Sequence, residues 1–185
     1  LSQAGYPIKG LHQVLKALPL VIKEYPDTKV YIGGINITSE VVGRLRISGY
    51  GDYIQSLIKK HNLSKHIIFT GPLNAEQICA QYLSANVFIC PSSIENSPNS
   101  LGEAQLLGVP CIASDVGGVT DMIPNKECGI IYRFEEVELL AKHICEIFKT
   151  SVIFDNSEMR RISHDRHDKV INAKTLINIY KSIII

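Results

Sequence analysis

PSSIENSPNSLGEAQLLG, residues 91–108, decides how this sequence is read. An apolar run, residues 86–91 (NVFICP), leads into it, and residues 100–107 take on helical character. Strand, polar loop and helix in that order make one unit of a parallel sheet. Ligands of open parallel sheets sit beyond the carboxyl ends of the strands, so this loop is where chemistry is sought. It carries Glu95, and Glu103 falls about one turn into a helix beginning near Asn99. The spacing can set two carboxylates at different depths of one cleft. Free helix N–H groups between them, with the helix dipole, favour an anion such as a phosphate. The same residues also read as plain capping. Ser100-Leu101-Gly102-Glu103 matches a Ser-x-x-Glu capping box, and Ser97-Pro98 an N-cap followed by proline. Taken alone, these residues favour capping.

Working outward, short β-rich runs alternate with longer helical stretches. Strands are expected at residues 29–33 (KVYIG), 66–71 (HIIFTG), 86–91, 110–114 (PCIAS) and 129–133 (GIIYR). Most are apolar throughout, as strands covered on both faces are. Helices are expected at 10–25, 52–62, 75–85, 100–107 and 135–149, with a last one at about 166–185. That last helix sets Val170, Ala173, Ile177, Tyr180 and Ile184 on one face. A sixth strand should precede the first helix, with Leu1-Ser2-Gln3 as its end. The expected fold is therefore α/β: a Rossmann-like three-layer α/β/α domain with a parallel sheet of about six strands.

Composition narrows the classes. The 185 residues fit one domain and bury a core without staples. Nineteen Lys and Arg against eighteen Asp and Glu give a net charge of +1, which argues against a nucleic-acid binder. No apolar stretch is long enough to span a bilayer. Five cysteines (79, 90, 111, 128 and 145), scattered and never paired as Cys-x-x-Cys, suit reduced thiols mostly packed as small apolar residues, and hence a cytoplasmic setting without a metal site. The chain opens without an initiator Met or a basic-plus-apolar leader, which we read as a piece of a longer protein.

Three further constellations stand near helix starts. In Tyr6-Pro7-Ile8-Lys9-Gly10, Lys9 can meet a phosphate as a point charge while Gly10 lets the backbone approach; a solvated lysine beside a turn is the simpler reading. Asp115-Val116-Gly117-Gly118 reads by default as a plain turn. His164-Asp165-Arg166-His167-Asp168 reads as a solvated start of the last helix, since no third metal ligand is in view. Gly-x-Gly-x-x-Gly, Walker and Gly-x-Ser-x-Gly motifs are absent from the sequence.

Taken in order, these pieces resemble the C-terminal, donor-binding domain of a GT-B glycosyltransferase of the large retaining family four. The resemblance covers nearly the whole chain. It runs from Lys9-Gly10 through Tyr25-Pro26-Asp27, Gly33-Gly34 and Phe69-Thr70-Gly71, then Pro91-Ser92 and Glu95-x7-Glu103-Ala104. It ends with Gly108-Val109-Pro110, Asp115-Val116-Gly117-Gly118 and Gly129. The resemblance implies that Glu95 positions the donor sugar through its hydroxyls and that Glu103 binds the ribose. It implies Lys9 on the diphosphate, beside Gly10 and backbone N–H groups of Asn99, Ser100 and Leu101. The loop at Gly71, Pro72 and Leu73 would border the base. Transfer would need no metal or other cofactor, because a cation and preorganised N–H donors stabilise the leaving diphosphate. Two positions depart from the family pattern: Gln3 stands where an arginine is usual, and Pro98 where glycine is, removing one N–H.

The resemblance also implies an absent N-terminal domain that supplies the saccharide or lipid-linked acceptor site, so that this piece alone is inactive. The apolar face of the last helix would dock on that domain. The enzyme would serve polysaccharide or glycoconjugate biosynthesis, in the cytoplasm or peripherally at the inner membrane face. Two other readings are a GT-B-type nucleotide-sugar epimerase and a non-catalytic nucleotide-binding or interaction module. The epimerase needs acid/base carboxylates and a histidine that are not arranged here, and the module has no need of Lys9, Glu95 and Glu103 together.

Overall fold

The computed structural model describes residues 5–38, 49–149 and 156–183. A single 3-10 turn, Pro7–Lys9, leads into α1 (Leu11–Glu24), followed by β1 (Val30–Gly33), α2 (Gly49–Lys60), β2 (Ile67–Gly71) and α3 (Ala75–Ser84). Next come β3 (Phe88–Cys90), α4 (Asn99–Leu106), β4 (Cys111–Ser114), α5 (Val119–Met122), β5 (Ile130–Tyr132) and α6 (Val137–Phe148). The chain ends in α7 (Asn156–His167) and α8 (Lys169–Ile183). The five expected strands all form, each trimmed by up to three residues. Pro91 and Pro110, which have no N–H to give to a ladder, fall just outside β3 and β4.

Every pairing is parallel. β1 joins β2 in register Val30↔Ile67 and Ile32↔Phe69, and β4 lies between β3 and β5, pairing Ile89↔Ile112 and Ser114↔Tyr132. Among the described residues the strands thus form a pair and a triplet rather than one sheet of about six. The expected sixth strand, at Leu1-Ser2-Gln3, lies outside the described residues, as does Gln3 as a ligand.

Helices cover both faces because the strands are apolar on both. Ile89 of β3, Ile112 of β4 and Tyr132 of β5 pack with Leu11, Val14, Leu15 and Leu18 of α1 and Leu140 and Ile144 of α6. On the other face, Phe88, Cys90, Cys111 and Ala113 pack with Leu101 and Ala104 of α4 and Val119 and Met122 of α5. Cys90, Cys111, Cys128 and Cys145 are buried and unpaired, and burial pushes their thiols up; Cys79 is exposed.

The last helix is a correction. Instead of one helix from about residue 166, there are two, broken at Asp168. Its Oδ1 accepts the N–H groups of Val170 at 2.7 Å and Ile171 at 2.8 Å, which starts α8 and holds the Asp168 carboxyl below its ordinary range. His164 and His167 therefore sit in the last turn of α7, not at a helix start. α7 clasps α4: Ser163 donates to the Gly102 carbonyl at 3.1 Å, and Arg166 donates to Gln105 Oε1 at 3.2 Å and the Asp121 carbonyl at 3.0 Å. α8 has no buried residue, and Val170, Leu176, Ile177 and Tyr180 are all at least half exposed. Ile184 lies outside the described residues. No described helix is long and apolar enough to cross a membrane.

Between β1 and β3 opens a cleft of about 1200 Å³. Its apolar lining comes from Val30, Tyr31, Val87, Phe88 and Ile89, with Val14, Leu18 and Val21 of α1. Its mouth, at the carboxyl ends of the strands, is polar.

Candidate functional site

Lys9, Gly71, Pro72, Leu73, Glu95, Asn99, Ser100 and Glu103 all line this one cleft, although they come from four separate stretches of chain. Two of the expected residues do not line it. Leu101 is fully buried in the core, and its N–H donates to the Pro98 carbonyl at 3.0 Å. Gly10 acts from behind. Its φ of 72° is left-handed, and a Cβ there would lie 1.6 Å from the Pro91 carbonyl oxygen. Only glycine allows the Lys9 loop to close on the end of β3. That approach is fixed by the Ser93 N–H, which donates to the Ile8 carbonyl at 2.8 Å.

This docking brings Lys9 to Glu95. Lys9 Nζ stands 2.5 Å from Glu95 Oε1, and Ser92 Oγ donates to the same oxygen at 2.8 Å. Ser92 is in turn anchored, because Ser114 Oγ, buried at the end of β4, donates to the Ser92 carbonyl. Gly117 and Gly118 also serve the Glu95 loop, which reading them as a plain turn missed. Gly117 has φ +50°, and a Cβ would lie 1.8 Å from the Glu95 carbonyl oxygen; a Cβ on Gly118 would lie 2.2 Å from that of Asn96. Paired glycines were the available signal, but their partners are 22 residues away in sequence.

Glu103 settles the capping question. α4 begins at Asn99 after Pro98, which has φ −67° and no side-chain cap, so neither Ser97 nor Ser100 is the N-cap. The Glu103 carboxylate accepts instead from Tyr82 of α3, whose hydroxyl reaches Oε2 at 3.2 Å and the Ser100 carbonyl at 3.1 Å. Tyr82 was not among the residues that sequence reasoning singled out, since nothing local connects it with α4. With no cap, the N–H groups of Asn99 and Ser100 have no carbonyl one turn back to bond and are available to an anion. Across the cleft, Gly71 has φ +72° and open space around its Cα, so the β2 edge presents backbone rather than side chain.

Chemically, the mouth combines one ammonium, two uncapped helix N–H groups and two hydrogen-bonded carboxylates. The first two suit a phosphate; carboxylates suit hydroxyl donors. Among the described residues, no group of three or more His, Cys, Asp or Glu is arranged to hold a metal ion.

The chain is 29% identical over 147 residues to spore coat protein SA of Bacillus subtilis, covering 78% of this chain and 37% of that protein. It is 27% identical over 168 residues to the capsular polysaccharide biosynthesis glycosyltransferase CapM of Staphylococcus aureus, covering 89% of this chain and 38% of CapM. The crystal structure of Anabaena HepE in complex with UDP superposes on 96% of this chain and 46% of HepE, with a TM-score of 0.79 at 20% identity. That likeness shows a Rossmann-like GT-B fold. The chain spans less than half the length of each of these relatives. The family described as glycosyl transferases group 1 matches residues 3–166, most of the sequence, and the chain belongs to that family.

Proposed function

We propose that this chain is the donor-binding part of a glycosyltransferase that moves a sugar from a nucleoside diphosphate to a saccharide or lipid-linked acceptor. The single observation that carries the reading is the convergence of Lys9, Glu95, Glu103 and the uncapped start of α4 in one cleft. In this reading Lys9 and the N–H groups of Asn99 and Ser100 hold the diphosphate. Glu103 accepts from the ribose hydroxyls, Glu95 accepts from the sugar, and the backbone at Gly71 and Leu73 borders the base. Gln3, at the family's arginine position, lends no second charge, so Lys9 is the main cation on the phosphates.

The chemistry needs little else from this half. As the bond from the anomeric carbon to the diphosphate oxygen breaks, its electron pair stays on the diphosphate. An ammonium and preorganised N–H groups stabilise that charge without a metal. The acceptor oxygen bonds to the anomeric carbon on the face the diphosphate leaves, and its proton passes to the departing diphosphate oxygen. Retention of configuration follows the family resemblance. The acceptor site belongs to a further domain, so this chain by itself binds nucleotide without appreciable turnover. The exposed apolar residues of α8 support a docking role towards that domain. The CapM likeness supports a role in polysaccharide or glycoconjugate synthesis; we place the enzyme in the cytoplasm, in peripheral contact with the inner membrane face.

Thermal shift tests the reading. A ligand that binds the folded state only, at a hundredfold excess over its Kd, adds about 2.7 kcal/mol and raises Tm by about 5 °C or more. UDP, GDP and ADP are the probes. We expect a shift with at least one of them, lost in Glu103→Ala and kept in His164→Ala. No shift with any of the three overturns the donor-site reading in favour of an interaction module.

A further inference from the structure

Tyr82 lies near the end of α3, nine-tenths buried, with its ring edge-on to Phe88 of β3 at 5.4 Å between centroids. Helix, strand and ring contact fix the phenol, so its oxygen has little freedom. The hydroxyl carries one proton and faces two acceptors, the Ser100 carbonyl in the first turn of α4 and Glu103 Oε2 one turn on. It is thus the tie between α3 and the part of α4 that lines the cleft. Glu103 has three rotatable torsions, and a free glutamate would lose that freedom when it met a ligand. A glutamate already held by a rigid phenol loses less. The tie engages Oε2, so a ligand hydroxyl finds a carboxylate whose direction is set before binding.

We propose that Tyr82 is a positioning residue, its hydroxyl orienting the Glu103 carboxylate so that it accepts from the vicinal hydroxyls of a ribose. This rests on the reading of Glu103 as the ribose ligand. Burial pushes the Tyr82 hydroxyl well above its ordinary range, and the Glu103 charge beside it adds to the effect. Both effects favour the protonated phenol, the form that donates to Glu103. A tyrosine that served only to pack α3 on the core would need its ring and not its oxygen.

Tyr82→Phe removes that oxygen and keeps the ring. The test is calorimetric titration of the parent chain, Tyr82→Phe and Glu103→Gln with UDP, GDP and ADP, each beside its 2′,3′-dideoxy analogue. The ratio of the two affinities reads ribose recognition apart from phosphate binding. In the parent chain the dideoxy analogue binds more weakly. In Tyr82→Phe the ratio narrows by about two- to tenfold, the cost of ordering one side chain, while affinity for the dideoxy analogue is unchanged. A ratio that stays at the parent value in Tyr82→Phe but collapses in Glu103→Gln overturns the role of Tyr82 and leaves Glu103 as the ribose ligand. Equal weakening of both ligands in Tyr82→Phe makes the residue structural and overturns it too. A ratio untouched by Glu103→Gln, or no binding of any probe, removes the reading of Glu103 and this proposal with it.

Discussion

Glu95 and Glu103 line the same cleft eight residues apart, yet the protein holds them by different means. Glu95 stands on a loop, shares one oxygen between the Lys9 ammonium and the Ser92 hydroxyl, and is shaped from behind by Gly117 and Gly118. Glu103 stands on a helix and accepts from a neutral phenol fixed in the core. A carboxylate paired with a cation changes partners when a competing anion arrives, because the ammonium is attracted to both. A carboxylate held by a neutral hydroxyl has no such competitor. On the proposed reading of the site, the difference predicts that the sugar end rearranges on binding while the nucleoside end is set beforehand.

The largest effect that would break this contrast is expected at the glycines behind each carboxylate. Gly117→Ala places a methyl group against the Glu95 carbonyl oxygen, a backbone atom that has no rotamer to turn away, at a left-handed φ. We expect a loss of about 2–4 kcal/mol and a Tm lower by about 5–10 °C. On the Glu103 side, Gly102→Ala meets only the far end of the His167 ring, which can turn away. There the change should stay within about 1 kcal/mol, helped by the better helix propensity of alanine. Thermal denaturation of the two variants checks the pair; equal losses would mean that the Glu95 loop is no more constrained than α4.

Next in size is Lys9→Met, which keeps the apolar stem and removes the charge. A hydrogen bond to a charged group contributes about 1.5–3 kcal/mol, so UDP affinity should fall about ten- to hundredfold while uridine binds as before. Calorimetry with the two ligands separates the phosphate from the nucleoside. If uridine weakens as much as UDP, Lys9 is holding the loop together rather than meeting the diphosphate.

How much of this could be read from the residues follows from which interactions are local. Apolar runs bounded by Gly, Pro and Ser gave the five strands, since β-branched runs between turn residues have few other outcomes. Glu95 and Glu103 were legible as a pair because loop and helix start are adjacent in sequence. α7 was not legible as a helix of its own: it buries only Met159 and Ser163 and so shows no apolar stripe. Its place on α4 depends on Arg160, Arg166 and Ser163 reaching carbonyls and an amide more than forty residues away. Tyr82 and Ser114 were missed for the same reason, as each acts through one hydroxyl on partners 18 to 22 residues away. The capping box looked sound locally, but Pro98 starts the helix two residues before Ser100, and Glu103 turns to the phenol.

The smallest expected effect is the most informative about the contrast. Glu95→Gln keeps an oxygen for the Ser92 hydroxyl and removes the charge that occupies Lys9. The Lys9–Glu95 pair is partly open to water, with side chains 24% and 13% exposed, and pairs near a surface are worth at most about 1 kcal/mol. Freed of it, Lys9 should bind a nucleoside diphosphate without a sugar up to about fivefold more tightly. The corresponding nucleotide sugar should gain less, or lose, because a neutral amide accepts from sugar hydroxyls more weakly than a carboxylate does. Titrating UDP and UDP-glucose side by side reads that divergence. If both instead weaken together, Glu95 is aiming Lys9 rather than competing for it. The two carboxylates would then be equally static, and the sugar end would need no rearrangement.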